Sequence, residues 1–433
     1  MTISSSLNAG VTGLNANATR LAAISDNISN SATAGYKRVQ TSFQSMVLGD
    51  TGAGSYSAGG VRASTMRLIE ENGTLISSNN PTDLAIKGRG FLPVTTEAAM
   101  SSGGPLPMYM MTTGSFRPDA SGTLRNESGM VLLGVPVGTD GTVPTFPRDS
   151  MGGLRPIQIP MNQSDHQPTG RISLGVNLPS TRTVAGAADD PIEMAVEYYN
   201  NLGMSDRLNV SFEPNVPAEG EPASNSWTLR IFDTDGETEL ATHVLQFGAG
   251  AANGGRLLSI DGDTEATGEI AVEVVRGGDV QPIAINLGRL GEPGGMSQLG
   301  DRFQPASITK DGAPIGALAA VEVDAKGMLN AVYDNGTVRT LAKVPVVDVP
   351  NPNGLAMLSG QVYRTTKESG AFFLWNAGDG PVGTVEGFAR EESATDVAHE
   401  LTQMIQTQRA YSSNAKVIQT VDEMLQETTN IKR

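Results

Sequence analysis

"LNAGVTGLNANATRLAAISDNISNSATAGYKR", residues 7–38, carries a stripe of apolar residues into an unusual ending. Leu7, Val11, Leu14, Ala18, Leu21 and Ile28 recur at spacings of four and three, and Ser25 fills the one skipped position. That spacing is the a/d seam of an amphipathic helix. The stripe ends among Asn27, Asn30, a run of small residues, Gly35, Tyr36 and the basic pair Lys37 and Arg38. Gly35 is expected to supply the positive φ that stops the helix. Asn27 and Asn30 are expected to satisfy backbone groups at its end, and an Asn beside an apolar seam fixes register.

The other end of the chain follows the same rule. Val397, Leu401, Met404, Tyr411, Ala415, Ile418 and Leu425 form a second seam, interrupted by Gln408 and Asp422. Ile405, Val417, Val421 and Met424 widen the stripe. No proline occurs in residues 1–35 or 390–433. Both ends therefore read as amphipathic helices of roughly 25 to 35 residues. Each long apolar face needs a partner, either the other terminus or the same helices of a neighbouring molecule.

Between the ends the pattern changes to short apolar runs broken by glycine and Asn-Gly or Asp-Gly turns. "DAKG" (324–327) and "DNGT" (334–337) read as hairpin turns, because Asn, Asp and Gly tolerate positive φ. "SWTLRIFDTDGETELATHVLQF" (226–247) is the clearest hairpin of a further β-rich stretch. "TTEAAMSSGGPLPM" (95–108) reads as a flexible loop. The expected fold class is mixed and mainly β. N- and C-terminal α-helices pair as a coiled-coil-like terminal domain, with nested β-rich domains inserted between them. The expected divisions are an N-terminal helix at 1–35, a linker at 36–70 and a β-domain in two segments, 71–168 and 307–385. An outer β-domain at 169–306 is inserted between those segments, and the C-terminal helix occupies 386–433.

Composition removes several function classes. The formal net charge of −16 disfavours a phosphate backbone as partner, so no nucleic acid is expected. With no cysteine there is no disulfide framework and no thiolate site. No apolar run is long enough to span a bilayer, so no membrane insertion is expected. The first basic residue, Arg20, follows the first apolar residues, and no continuous apolar region follows it. A cleaved secretory signal is therefore not expected. His166, His243 and His399 show no ligand spacing, and no metal or cofactor is expected. "DTDGETE" from Asp233 opens like a calcium loop, but its twelfth position is Val244. "GAGAANGG" (248–255) has Asn253 where a dinucleotide fingerprint needs glycine. No catalytic constellation stands out, and an enzyme is not expected.

The opening stretch resembles the N-terminal signature of bacterial flagellar axial proteins, the rod–hook family. Asn27, Asn30, Thr33, Gly35, Tyr36 and Lys37 fall on that signature, with Asp26 where the family usually has Asn. "MIQTQRAYSSNAKVIQTVDEMLQ" (404–426) is similar to the family's closing helix, through Gln408, Arg409, Ala410, Tyr411, Asn414, Asp422 and Glu423. Three internal stretches resemble it too: "NPTDLAIKGRGFLPV" (80–94), "TTGSFRPDASGTLRNESGMVLLG" (112–134) and "VYDNGTVRTLAKVPVVDVPNPNGL" (332–355). Leu92 replaces a common Phe and Asp334 a common Ser. The resemblance covers roughly half the chain, while residues 170–305 carry none of it. Length and the inserted segment fit the hook members best.

The resemblance implies a structural subunit of the flagellar hook, outside the cell. It implies self-assembly into a flexible helical tube that links rod to filament and transmits torque as a universal joint. Implied partners are further copies of the chain, the distal rod protein, the hook cap, the hook–filament junction proteins and the flagellar type III export apparatus. The terminal helices would form the inner tube. The implied assembly residues are Leu7, Val11, Leu14, Leu21, Asn27, Ile28, Asn30, Gly35 and Tyr36. At the other end they are Val397, Leu401, Met404, Gln408, Arg409, Tyr411, Asn414, Ile418 and Leu425. Tyr36 and Lys37 would start the link to the outer domains. Two alternatives stay open: a distal rod-type protein with an inserted domain, and a flagellar-exported protein with an activity in residues 170–305.

Overall fold

The computed structural model describes residues 3–46, 58–101, 106–138, 141–161 and 164–431. The chain forms two units. One comprises Met1–Met161, Ala320–Ala331 and Arg339–Arg433, and the other Asn162–Ala319 with Val332–Val338.

In the first unit the two ends of the chain form helices, Ile3–Ser29 and Val397–Ile431. They lie antiparallel. Gly10 faces Ile418 and Gly13 faces Asn414, while further along Arg20 bonds Gln403 and Asn27 bonds Glu400. The pairing of the termini is thus a property of the single chain.

Within 36–70, expected as a linker, Val39–Ser45 pairs antiparallel with Val61–Arg67 as a two-stranded ribbon. Val39, Thr41 and Phe43 alternate with polar residues here, opposite Arg67, Thr65 and Ala63. The ribbon lies against the N-terminal helix: Thr12 Oγ1 accepts from Val61 N at 3.2 Å, and the Arg20 guanidinium sits 5.7 Å from the Phe43 ring centre.

The β part of this unit interleaves segments from both sides of the insertion. Asp83–Lys87 sits between Thr113–Ser115 and Thr384–Gly387. Leu92–Thr96 sits between Tyr109–Met111 and Met130–Pro136. Val362–Arg364 pairs with Tyr109–Met111, and Val338–Lys343 joins Met130–Pro136 through Val135 and Lys343. Phe91, Met110, Leu133, Val347, Tyr363 and Leu374 fill the core between them. The "DAKG" turn forms as expected, with Asp324 N donating to Met328 O at 3.0 Å and Gly327 at φ +76°. The stretch 95–108 is not all loop. Glu97–Ser101 forms a short helix with Glu97 in its first turn, and residues 102–105 lie outside the described residues.

The second unit is a sandwich of two five-stranded sheets. Ile192–Tyr199, Ser205–Pro214, Ser226–Phe232, Glu239–Phe247 and Leu257–Ile260 pair in chain order as one antiparallel sheet. The other is built on Arg171–Leu178, which pairs parallel with Asp279–Asn286 and antiparallel with Gln304–Lys310. Strict alternation places Trp227, Leu229 and Ile231 inward, against Leu174, Val272 and Ile283 of the other sheet. The "DTDG" sequence closes the 226–247 hairpin, with Asp233 N donating to Thr238 O at 2.9 Å.

Candidate assembly site at the terminal helices

The N-terminal helix ends at Ser29, six residues before Gly35. What closes it is local. Asn30 N donates to Asp26 O at 3.1 Å, the Asn30 amide to the same carbonyl at 2.9 Å, and Thr33 Oγ1 to Asn30 Oδ1 at 3.2 Å. Asn30 therefore does satisfy the helix end. Gly35 does adopt positive φ, +68°, but it does not stop the helix. It lets the backbone pass beneath the β domain, where Gly35 N donates to Glu391 O at 2.8 Å. A Cβ there would stand 2.8 Å from Thr113 Cγ2.

Asn27 is the centre of a buried junction, 1% exposed. Its Oδ1 accepts from Val39 N at 2.8 Å, and its Nδ2 donates to Val39 O at 2.9 Å and to Glu400 Oε1 at 3.1 Å. The Tyr36 hydroxyl completes the set, 3.1 Å from Asn27 Oδ1 and 3.0 Å from Asp26 Oδ2. One amide thus ties the N-terminal helix to the ribbon and to the C-terminal helix. Burial, reinforced by the bond to Asp26, pushes the Tyr36 hydroxyl up to about 12. The Arg67 guanidinium lies 5.1 Å from the Tyr36 ring centre.

Beside it sits a fully buried cation. Lys37 Nζ donates to Glu391 Oε1 at 2.8 Å, to Glu71 O at 2.7 Å and to Asn72 Oδ1 at 3.1 Å. All three of its protons are used. Burial holds the Lys37 ammonium below its usual pKa, with the Glu391 carboxylate opposing that shift. Arg38 grips Glu71 through two bonds, at 2.6 and 3.1 Å, and lies 3.9 Å from Glu400. From the far side, Asn353 Oδ1 accepts from Ile69 N at 2.8 Å and from Glu70 N at 3.2 Å, anchoring the end of the ribbon.

The helix pair itself meets along a face rich in small and polar residues, with a few apolar ones among them. On the N-terminal helix this face is Gly10, Gly13, Ala16, Asn17, Ile24 and Asn27. On the C-terminal helix it is Glu400, Thr407, Asn414, Ile418 and Val421, with Met404 half-buried beside them. This inner face lies one residue before the leucine stripe. Leu7, Leu14, Leu21 and Ile28 are half-buried, and Val11 is 42% exposed. Val397, Leu401, Gln408, Arg409, Tyr411 and Leu425 are exposed, as is Ile405 at 53%. Of the residues singled out from sequence, the structure thus gathers Asn27, Gly35 and Tyr36 into the junction, while Asn30 closes the helix end beside it. Met404, Asn414 and Ile418 lie at the helix contact, and the others stay outside it. Sequence reasoning missed Gly10, Gly13, Glu391, Glu400 and Asn353. Lys37 falls on the signature and at the start of the link, but its burial as an ion-pair partner is not readable from sequence.

Among the described residues no group of His, Asp and Glu is arranged to hold a metal ion. No helix among them is long and apolar enough to cross a membrane.

Two family models match the ends of the chain. "Flagella basal body rod protein" covers residues 7–37, and "Flagellar basal body rod FlgEFG protein C-terminal" covers 386–431. Curated relatives match over the whole length. The flagellar hook protein FlgE of Brucella suis is 32% identical, with 100% of both chains covered. That of Rhizobium meliloti is 31% identical at the same coverage, and that of Escherichia coli 28% identical over 98% of each chain. A solved hook protein, FlgE2 of Helicobacter pylori, has 13% identity and a TM-score of 0.45, covering 72% of this chain and 99% of its own. The alignments extend through residues 170–305, which carry no motif of their own, and the chain belongs to the flagellar hook protein family.

Proposed function

We propose that this chain is a structural subunit that polymerises into the tube of a bacterial flagellar hook and has no enzymatic activity. One observation carries the assembly reading. The terminal helices meet through a largely small and polar face and leave apolar side chains exposed on the outside of the pair, Val11 at 42% and Leu401 at 46%. Neighbouring copies would cover those stripes, at about 25 cal/mol per Å² of apolar area removed from water. Val11, Leu7, Leu14 and Leu21 on one helix and Val397, Leu401, Tyr411 and Leu425 on the other are the proposed contact residues. Gln408 and Arg409 lie on the same exposed surface.

In this reading the junction around Asn27 and Lys37 couples the tube wall to the β domains, so that torque passes from helix to sheet without a loose hinge. The ends of the tube would meet the distal rod protein, the hook cap and the hook–filament junction proteins. The subunit would leave the cell through the flagellar type III export apparatus. The full-length match to hook relatives favours this over a rod protein with an unusual insert.

The test is sedimentation of the double variant Val11→Asp/Leu401→Asp. It is expected to keep its far-UV spectrum and remain monomeric where the parent chain forms polymer. Removal of residues 1–35 and 398–433 is expected to abolish polymer as well. Undiminished polymer in the double variant would remove these stripes from the mechanism.

A further inference from the structure

The chain contains four Asn-Gly pairs, Asn72–Gly73, Asn253–Gly254, Asn335–Gly336 and Asn353–Gly354. This dipeptide is chemically unstable in a flexible peptide. Glycine has no Cβ to shield its backbone nitrogen, so that nitrogen can reach the preceding side-chain carbonyl. Two restraints prevent the approach: hydrogen bonds that hold the Asn side chain, and a hydrogen bond that engages the glycine N–H.

Three of the four pairs have both restraints. Asn72 accepts from Lys37 Nζ at 3.1 Å and donates to Gly88 O at 2.9 Å, while Gly73 N donates to Glu391 Oε1 at 2.7 Å. Asn335 donates to Pro314 O at 2.6 Å and accepts from Thr337 N at 2.9 Å, while Gly336 N donates to Tyr333 O at 3.0 Å. Asn353 accepts from Ile69 N at 2.8 Å and Glu70 N at 3.2 Å, while Gly354 N donates to Asn351 O at 3.1 Å.

Asn253 differs. It is exposed in the turn between Phe247 and Leu257. Among the described residues neither its side chain nor the Gly254 N–H makes a hydrogen bond. We propose that Asn253 is a site of selective spontaneous deamidation in the folded protein, with Gly254 N as the nucleophile and water as the only co-reactant. The Gly254 nitrogen attacks Asn253 Cγ, its proton leaves with the departing amide as ammonia, and a succinimide closes. Water then opens the ring at either carbonyl, giving aspartate or isoaspartate. The net change is amide plus water to carboxylic acid plus ammonia, with no oxidation.

The product alters the turn. It adds one negative charge, and the isoaspartyl form adds one backbone atom. The turn has little slack for that atom. Gly248 N donates to Arg256 O at 2.9 Å, Gly255 N donates to Gly248 O at 2.8 Å, and a Cβ on Gly248 would fall 2.3 Å from Asn253 O. Isoaspartate at 253 is therefore expected to open this closure, a one-way change confined to the second unit.

The experiment is peptide mapping by mass spectrometry on the intact chain held in mildly alkaline buffer, with isoaspartate-specific methyl labelling. Asn253 is expected to convert first. The other three should be slower by about tenfold or more, the factor set by breaking a hydrogen bond of about 1.4 kcal/mol. In denaturant all four should convert at comparable rates, and Gly254→Ala should slow position 253 in either state. Equal rates at all four sites in the folded chain would overturn the proposal. So would an intact Asn253 at times when the denatured chain has converted.

Discussion

Asn27 on the N-terminal helix and Glu400 on the C-terminal helix share a 3.1 Å hydrogen bond inside the protein, and each is almost fully buried. Residues 373 positions apart in sequence thus meet at the point where both helices join the β part of the first unit. The same Asn27 also closes on both backbone groups of Val39. Asn27→Leu is expected to leave Val39 N and Val39 O without their partners and Glu400 with Arg38 at 3.9 Å in place of a close hydrogen bond. Each unsatisfied buried group costs about 1–3 kcal/mol. Thermal unfolding of the first unit should move to lower temperature by several degrees, while Glu400→Gln, which keeps an acceptor oxygen, should move it less. Equal stability of Asn27→Leu and the parent chain would show that the junction is held elsewhere.

Lys37 and Glu391 form the second test. A buried ion pair contributes little over an apolar pair, but an uncompensated buried charge is costly. Lys37→Met leaves Glu391 with the Gly73 N–H at 2.7 Å and no cation, and should destabilise by about 3–5 kcal/mol. Lys37→Met/Glu391→Gln keeps an oxygen for Gly73 N and removes the stranded charge. It should therefore be more stable than Lys37→Met alone in urea unfolding. A double variant that is worse than the single one would contradict the assignment.

These two tests concern residues that the sequence conceals. The leucine stripe is legible because its spacing repeats, and so are the hairpins at 324–327 and 226–247, where Asp and Gly punctuate alternating runs. The face that joins the helices is not legible. Gly10, Gly13, Asn17 and Thr407 read as solvent-facing residues on a helical wheel, yet they are the buried ones. Lys37 and Glu391 belong to types that are seldom buried, and nothing local marks them as partners. The parallel pairing of Arg171–Leu178 with Asp279–Asn286 is equally hidden, because the strands are joined through most of the second unit.

Tyr36 supplies a pH test. Its hydroxyl is held at about 12 against an ordinary 10. The folded state therefore keeps its proton where the unfolded state has lost it. This contribution to stability is fully present below pH 10 and is lost as pH rises from 10 toward 12. Lys37, held below its ordinary value, contributes with the opposite sign in alkali, so the comparison must be made at fixed Lys37. Subtracting the unfolding curve of Tyr36→Phe from that of the parent chain does this. The difference should decline across that window, and a flat difference would show that the hydroxyl is not held as described.

Gly10 and Gly13 give the last prediction, because they face neighbours of different stiffness. A Cβ at position 10 would stand 2.9 Å from Ile418 Cγ1, and one at position 13 would stand 2.7 Å from Asn414 Nδ2. The branched Ile418 has little rotamer freedom within a helix, so it can yield only by moving its backbone. The end of Asn414 is free to swing aside. Replacing a helical glycine by alanine also gains about 0.5–1 kcal/mol in backbone terms. Gly13→Ala should therefore be neutral or slightly stabilising and should still assemble. Gly10→Ala should lose stability and force the helices apart near Ile418, which lowers the rate of polymerisation followed by light scattering. Gly10→Ala combined with Ile418→Val, which removes the δ-methyl carbon that also lies within 3.5 Å, should recover only part of the loss, because Cγ1 at 2.9 Å becomes a methyl rather than vanishing. Ile418→Ala should relieve the clash fully at the cost of a cavity. If Gly13→Ala proved the more damaging substitution, Asn414 rather than Ile418 would be the rigid side of the contact.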